Sequence, residues 1–462
     1  MKKSNLIPIS NPWNGLLLGH VTPASPEQIN QVVQRGRLAA GRFRESTPFD
    51  RRQLLFAIAQ AIEDNADIFS QIICIEVGKT IKEARREVAR AQNTLRLSAE
   101  AAGQLDGEVL HCTVAEHGTP RWATVTYQPV GVVAAITPFN YPLNLLCHKL
   151  GPAIAAGNAI VIKPSPKAPM AAAHLVDLVK NILPVVDLIQ IVHGGAETAI
   201  ALAQSQIDLL SFTGGTQAGL AIRNATGMIR CLMELGGNDP LLVLPDADLD
   251  KAAQTAVAQR FEIAGQSCAA VKKLYVHETV HDALVERVMS LTQTIRLGDP
   301  LDPETEMGPV IDEAAGLDVH QRISEAVQSG AKQLAGSVQL SKSHSNRILP
   351  TVLDQVSPEV RLWKTETFGP VIAIRNFIDI DSAVDEINMS GFGLQAGIFS
   401  NDHNLLRRIS QKLVVGGVMV NEGPDFRVEQ VPFGGVKSSG LGREGVRITI
   451  REMSETKVVI DQ

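Results

Sequence analysis

Residues 261–270, FEIAGQSCAA, set Cys268 behind a Gly-Gln-Ser turn; it is one of five cysteines in 462 residues. A thiolate attacks carbonyl carbon at neutral pH. Free cysteine also packs as a small hydrophobe, the commoner role for an isolated one. Other stretches read in the same two ways. Asn140 in ITPFNYPLN follows a buried-strand run, as a turn residue or as an amide aimed at an oxyanion. Lys163 in IVIKPSPKAP ends another such run, either solvated or bonding a nucleotide ribose at the carboxyl edge of a sheet. Gly214 and Gly215 in SFTGGTQAGLAI stand between a strand and a helix, where small residues admit a pyrophosphate, although the pattern is not GxGxxG. Glu234 in MELGGNDP and Glu366 in WKTETFGPV precede turns, where a carboxylate is ordinarily a surface or capping group.

These residues need elements to hold them. Residues 26–102 read as helix, opening with a capping box from Ser25 to Gln28 and Pro26 at the first helical position. Apolar residues then recur three and four apart through PFDRRQLLFAIAQAIEDNADIFSQIICIEVGK. From Arg121 the period changes: WATVTYQPVGVVAAITPFNYP alternates and then runs apolar. NAIVIKPS, LIQIVHGG and LLSFTGGT are short apolar runs, separated by helical APMAAAHLVDLVKNIL and ETAIALAQSQ. That alternation predicts a parallel sheet with crossover helices and ligands at the strand ends. MELGGNDPLLVL opens a second α/β series, so a boundary falls near residue 236. Its helices are read in KKLYVHETVHDALVERVMSLTQTI, VHQRISEAVQSGAKQLAG and SAVDEINMS, and strands in PVIAIRNF and GGVMVN. The alternating C-terminus reads as an edge strand able to pair outside its own domain.

Composition fits a soluble globular chain of two or three domains, with 45% hydrophobic and 20% charged residues. A net charge of −6 leaves no basic footprint for nucleic acid or an anionic membrane. MKKSNLIPISNPWNG lacks an apolar core of signal-peptide length. No stretch approaches the roughly 18 apolar residues of a membrane span. The cysteines at 74, 112, 147, 231 and 268 form no CxxC pair. That argues against a metal site or a disulfide framework and fits a reducing cytoplasm.

Taken in order, Asn140 in PFNYP, Lys163 in IKPS, FTGGT, Glu234 in ELGG, Cys268 in GQSC, Glu366 in ETFGP and PFGGVKSSGLGREG at 432–445 form a series. The series resembles the aldehyde dehydrogenase superfamily, with order and spacing kept from about residue 8 to 460. The resemblance implies an α/β fold with a Rossmann-like NAD(P)-binding domain over 1–115 and 131–236. A catalytic α/β domain takes 237–430. A small β oligomerisation element combines 116–130 with 431–462, giving a homodimer or homotetramer. Cys268 is implied to attack the aldehyde, Asn140 and the Cys268 N–H to form an oxyanion hole, and Glu234 to act as general base. Lys163 and Glu366 are implied to hold the adenosine-side and nicotinamide-side riboses of NADP or NAD. The Gly214–Gly215 turn faces the pyrophosphate, and Pro138, Ser165, Lys167 and Phe368 complete the implied cofactor set. No metal is implied.

Three positions depart from the family pattern. Pro166 stands where NAD-preferring members often carry a glutamate, and Lys167 follows. Repulsion toward a 2′-phosphate is then absent, which favours NADP. Gly215 replaces a usual serine, and Ile263 replaces a frequent asparagine for which the sequence gives no functional account. NEGPDFRVEQVPFGGVKSSGLGREGVR and PAIAAGN look closest to the branch of lactaldehyde, non-phosphorylating glyceraldehyde-3-phosphate and phosphonoacetaldehyde dehydrogenases. This implies oxidation of a small, hydroxylated or anionic aldehyde to its acid through a thiohemiacetal and a thioester. Arg427, before PFGG, and His148, eight residues past Asn140, are candidates for the substrate tail. The alternative for Arg427 is a pair with Glu429 or Asp425. Ser267 stands where phosphate-using relatives often carry arginine, which argues against a phosphorylated-aldehyde-specific enzyme. Glu234 argues against a CoA-acylating one. Intact Cys268, Glu234 and Asn140 argue against a non-catalytic structural or binding member of the fold.

Overall fold

The structure, a computed structural model, describes residues 6–114, 116–336 and 345–461. Its N-terminal part is helical because the sequence caps and stripes it so. Ser25, Thr47 and Thr80 each accept from the third backbone N–H of the following helix and close a capping box, opening Pro26–Phe43, Pro48–Asp64 and Ile81–Ala101. The inner faces, including Phe43, Leu55, Ile58, Val88 and Leu95, join the core around the first sheet.

That sheet has six strands, in the order Gly440–Leu441, Arg230–Glu234, Leu209–Thr213, Val132–Ile136, Ala159–Lys163 and Ile189–Ile191. All but the two-residue edge strand pair in parallel. Continuous apolar runs such as VVAAI are buried along their whole length, as expected of strands covered on both faces. A seven-stranded sheet follows, in the order Lys332–Ala335, Thr351–Asp354, Val371–Phe377, Lys273–His277, Pro240–Val243, Gln395–Phe399 and Gly417–Val420. It has its own core, drawn from residues between Leu241 and Leu413. A three-stranded antiparallel sheet joins Ser454–Asp461, Trp122–Pro129 and Glu108–His111.

Four expectations need correcting. The helix read through VHQRISEAVQSGAKQLAG ends at Gln328, and its KQLA is the strand Lys332–Ala335. The strand Glu108–His111, grouped with residues 1–115, pairs with Trp122–Pro129 in the three-stranded sheet. KKLYVHETV begins as the strand Lys273–His277 and turns helical only at His281. Its Leu-Tyr-Val run suits a strand buried on both faces, which helical periodicity cannot distinguish. Residues 431–453 do not belong to the three-stranded sheet with which they were grouped. Gly440–Leu441 pairs with Glu234 and Met233, and Val446 and Ile450 of the helix Val446–Glu452 pack into the first core. Only the strand from Ser454 onward leaves that body.

Candidate active site

The parallel strands of the first sheet deliver their carboxyl ends to one cleft. Ile136, Lys163, Thr213 and Glu234 are the last residues of four neighbouring strands. The second sheet supplies loops that enter its strands instead. Cys268 lies five residues ahead of Lys273–His277, and Glu366 and Phe368 lie ahead of Val371–Phe377. The cleft between them has a volume of about 570 Å³. Its wall holds Cys268, Asn140, Ser267 and Arg427. Pro138, Lys163, Ser165, Gly214, Gly215, Glu366 and Phe368 line it too. Glu234, His148 and Lys167 do not.

The turn before the nucleophile is left-handed. Ile263, Ala264 and Gly265 have φ of 51°, 50° and 74°. Each non-glycine residue in that region costs about 1–2 kcal/mol. Four hydrogen bonds hold the turn. The Ile263 N–H donates to Glu83 Oε1 at 2.8 Å, and Gln266 Nε2 donates to the Ile263 carbonyl at 3.0 Å. The Ile311 N–H donates to Gln266 Oε1 at 2.9 Å, and Asn140 Nδ2 donates to the Gln266 carbonyl at 2.8 Å. Asparagine, which the family resemblance leads one to expect at 263, tolerates this backbone region better than isoleucine.

Cys268 is half-buried on the wall. Burial pushes its thiol up, with Asp425, Glu366 and Asp239 adding to the effect and Lys272 opposing it. Ser267 Oγ donates to Asp425 Oδ1 at 2.9 Å. The two glycines of ELGG are steric requirements. A side chain at Gly237 would come within 2.5 Å of the Cys268 carbonyl, and one at Gly236 would strike Glu366. The Gly237 N–H also donates to Glu366 Oε1 at 3.2 Å.

Glu234 sits beneath the wall rather than on it. It is buried, and its Oε2 has no hydrogen-bond partner. Burial raises its carboxyl well above the ordinary range; Glu444 adds to this, and Arg427 and Lys149 oppose it. Lys149 Nζ pairs with Glu444 Oε1 at 2.7 Å and donates to the hydroxyls of Ser211 and Thr213 at 3.1 and 2.8 Å. Arg427 pairs with Glu444 Oε2 at 3.1 Å. Burial works against ionising Glu444, yet Lys149 and Arg427 hold it well below the ordinary carboxylate range. Arg427 therefore takes neither Glu429 nor Asp425 as partner. Glu429 pairs with Arg90 at 2.8 Å, and Arg90 also reaches the cleft. His148, on the buried helix Asn144–Ala155, stands behind Arg427, whose NH2 lies 3.4 Å from its Nδ1. Burial, then Arg427, pushes His148 well below its usual value, so it is neutral.

The rest of the cleft is built for a polyanionic nucleotide. Burial lowers Lys163 to about 8, and its Nζ donates to the Pro164 carbonyl at 3.1 Å. The helix Thr216–Ala225 starts at Gly215 with no side-chain cap, and its Ala218, Ala221 and Ile222 line the cleft. An uncapped helix N-terminus bordered by glycine and alanine suits a pyrophosphate. Phe139 and Phe368 meet edge to face with centroids 6.0 Å apart. Lys167, placed in the implied cofactor set, pairs with Asp312 at 2.5 Å.

Sequence reasoning missed Lys272, Asp425, Arg90 and the Lys149–Glu444 pair. Asp425 and Glu444 lie inside the quoted stretch around PFGG. Lys149 follows His148 with nothing to mark it as buried.

The aldehyde dehydrogenase family profile matches residues 1–459. The lactaldehyde dehydrogenase of Methanococcus vannielii is 38% identical over 458 residues, covering 98% of this chain and 96% of that protein. The 3-sulfolactaldehyde dehydrogenase of Priestia aryabhattai is 37% identical over 442 residues, covering 95% and 91%. The NADP-dependent glyceraldehyde-3-phosphate dehydrogenase of Bacillus halodurans C-125, solved with NADP, superposes with a TM-score of 0.96 at 34% identity, over 99% of this chain and 96% of that one. Fold and sequence thus lead to one assignment: the chain belongs to the aldehyde dehydrogenase family.

Proposed function

We propose that this chain oxidises a small hydroxylated or anionic aldehyde to its carboxylic acid, with NADP or NAD as the electron acceptor. The observation that carries the reading is the meeting of Cys268, Asn140, Lys163 and Glu366 on one cleft wall. Cys268 attacks the aldehyde carbon. The oxyanion that forms is met by the Asn140 amide and the Cys268 N–H, each such donor being worth about 3–4 kcal/mol. A nicotinamide nucleotide, when bound, supplies the hydride acceptor. Lys163, Glu366 and the helix N-terminus at Gly215 would hold it, with Phe368 and Pro138 beside them. The thioester left on Cys268 is hydrolysed by water whose proton Glu234 takes, which requires its carboxyl to turn out from beneath the wall. That base favours hydrolysis over transfer to CoA. Arg427 and Ser267 border the substrate space, and His148 acts only through Arg427.

The names of the relatives support small aldehydes with a hydroxyl or an anionic group. Pro166 in place of a carboxylate, and an NADP complex among the neighbours, support NADP. Among the described residues the strand Ser454–Asp461 has a partner on one side only, and it exposes Val458, Val459 and Ile460, which supports pairing with a second copy. The three-domain division and a cytoplasmic location belong to the same reading. All five cysteines are free, and among the described residues no helix is long and apolar enough to cross a membrane.

The test follows reduced nicotinamide by absorbance, with NAD and with NADP. Wild type and Cys268→Ala are compared on lactaldehyde, glycolaldehyde, succinic semialdehyde, glyceraldehyde 3-phosphate and propanal. Activity on the hydroxylated or anionic members, lost in Cys268→Ala while nucleotide binding persists, is the expected result. A preference for propanal, or full activity in Cys268→Ala, overturns the reading.

A further inference from the structure

We propose that Lys272 is the positioning residue of the nucleophile loop, orienting the Cys268 N–H and coupling Cys268 to Glu366. This rests on Cys268 being the nucleophile. The Lys272 side chain is 1% exposed. Its Nζ donates to the Ser267 carbonyl at 2.8 Å and to the Cys268 carbonyl at 2.5 Å, and lies 3.5 Å from Glu366 Oε1. An ammonium has three hydrogens, and three acceptors stand around this one. Its own N–H donates to the Asp239 carbonyl at 3.0 Å, so the residue is fixed at both ends.

Orientation follows from peptide geometry. The Ser267 carbonyl and the Cys268 N–H belong to one planar trans unit and point in opposite directions. Drawing that carbonyl onto Lys272 turns the Cys268 N–H away from it, and that N–H is the backbone donor of the proposed oxyanion hole. The second bond fixes the next peptide plane, so the Cys268 Cα is held from both sides.

Charge makes the coupling. The groups facing the thiol are Asp425 from the loop before PFGG, Glu366 from the loop before Phe368, Asp239 after ELGG, and Lys272. Glu262 stands beyond Asp425. Without Lys272 the thiol keeps the three carboxyl groups beside it and loses the cation that opposes them. Glu366 would likewise lose the cation that holds it in place for a ribose. One ammonium therefore serves both the reacting sulfur and the nucleotide-binding carboxylate.

Lys272→Met and Lys272→Gln test this in the intact enzyme. Iodoacetamide alkylation of Cys268 is followed by peptide mass spectrometry against pH, with and without NADP. Steady-state kinetics, NADP binding and thermal unfolding are measured alongside. Both variants are expected to raise the alkylation midpoint by about one pH unit. The KM for NADP should rise in both. The kcat should fall roughly 10²-fold in Lys272→Met and less in Lys272→Gln, whose amide still donates to a carbonyl. If only one variant folds, its alkylation profile decides alone. A folded variant with the wild-type midpoint and kcat overturns the proposal, as does a loss of kcat explained wholly by the unfolded fraction. Full activity in Cys268→Ala, or in enzyme alkylated at Cys268, overturns the nucleophile reading itself.

Discussion

Glu444→Gln probes the charge balance around the proposed base. Glu234 is buried beside three cations, Arg427, Lys149 and Arg443, and one carboxylate, Glu444. The substitution removes the one negative neighbour and makes the surroundings of Glu234 more positive by one unit, because glutamine is neutral and all three cations stay. A unit charge change at this range is worth about 1–3 pKa units, or 1.4 kcal/mol per unit. Glu234 must be an anion to take a proton from water, so hydrolysis falls as pH drops through its raised pKa. The acidic limb of the steady-state rate should therefore move to lower pH by about one to two units in Glu444→Gln. The same change leaves Lys149 buried without its 2.7 Å partner, which typically costs about 3–5 kcal/mol. The unfolding temperature should fall, most clearly near neutral pH. Glu444 has a depressed folded pKa, so its contribution is complete above the ordinary carboxylate range and is lost as pH falls through the folded value. The assay is a pH–rate profile with excess aldehyde and NADP, run below the variant's unfolding temperature. An acidic limb that stays put, or moves to higher pH in a folded variant, refutes the electrostatic link between Glu444 and Glu234.

Glu234→Gln should give a burst of one reduced nicotinamide per site and then stall at the thioester, as read by stopped-flow absorbance. It should also remove the loss of stability that wild type shows as pH rises from the ordinary carboxylate range through the raised Glu234 value, measured by thermal unfolding at pH values across that window. Asn140→Ala should lower kcat by roughly 10²–10³-fold with nucleotide binding intact, measured by steady-state kinetics and calorimetry. Lys167→Ala should change the NADP-to-NAD preference by less than about threefold, because the lysine is half-exposed and already paired with Asp312; a large swing toward NAD would place it on the 2′-phosphate after all.

Much of this was legible in the sequence, and the reason is local. The capping box at Ser25, the buried runs VVAAI and AIVIK, and the strand ends at Lys163 and Glu234 are written in neighbouring residues. The resemblance marked Cys268 and Asn140 because their contexts, GQSC and PFNYP, are short and contiguous. What escaped depends on contacts across the fold. Arg427 was weighed against partners two residues away, yet its partner is Glu444, seventeen positions on. His148 was counted along a helix from Asn140, but that helix is buried on every side and turns the ring toward Arg427. Asp312, the partner of Lys167, is 145 residues distant, so nothing near Lys167 in sequence points to it. Lys272 lies in KKLYVHETV, which reads as helix, and only the fold shows which carbonyls it holds.

The left-handed turn at Ile263–Gly265 has a consequence for how the enzyme comes to life. Its backbone is unfavourable alone and is secured by Glu83, 180 positions earlier, and by Asn140, 126 positions before Gln266. Neither anchor exists until the N-terminal helices and the first sheet have assembled and met the second. The turn that carries the nucleophile therefore takes its shape only where both halves are in place. Catalytic geometry at Cys268 is thus a property of the docked halves and of neither half alone.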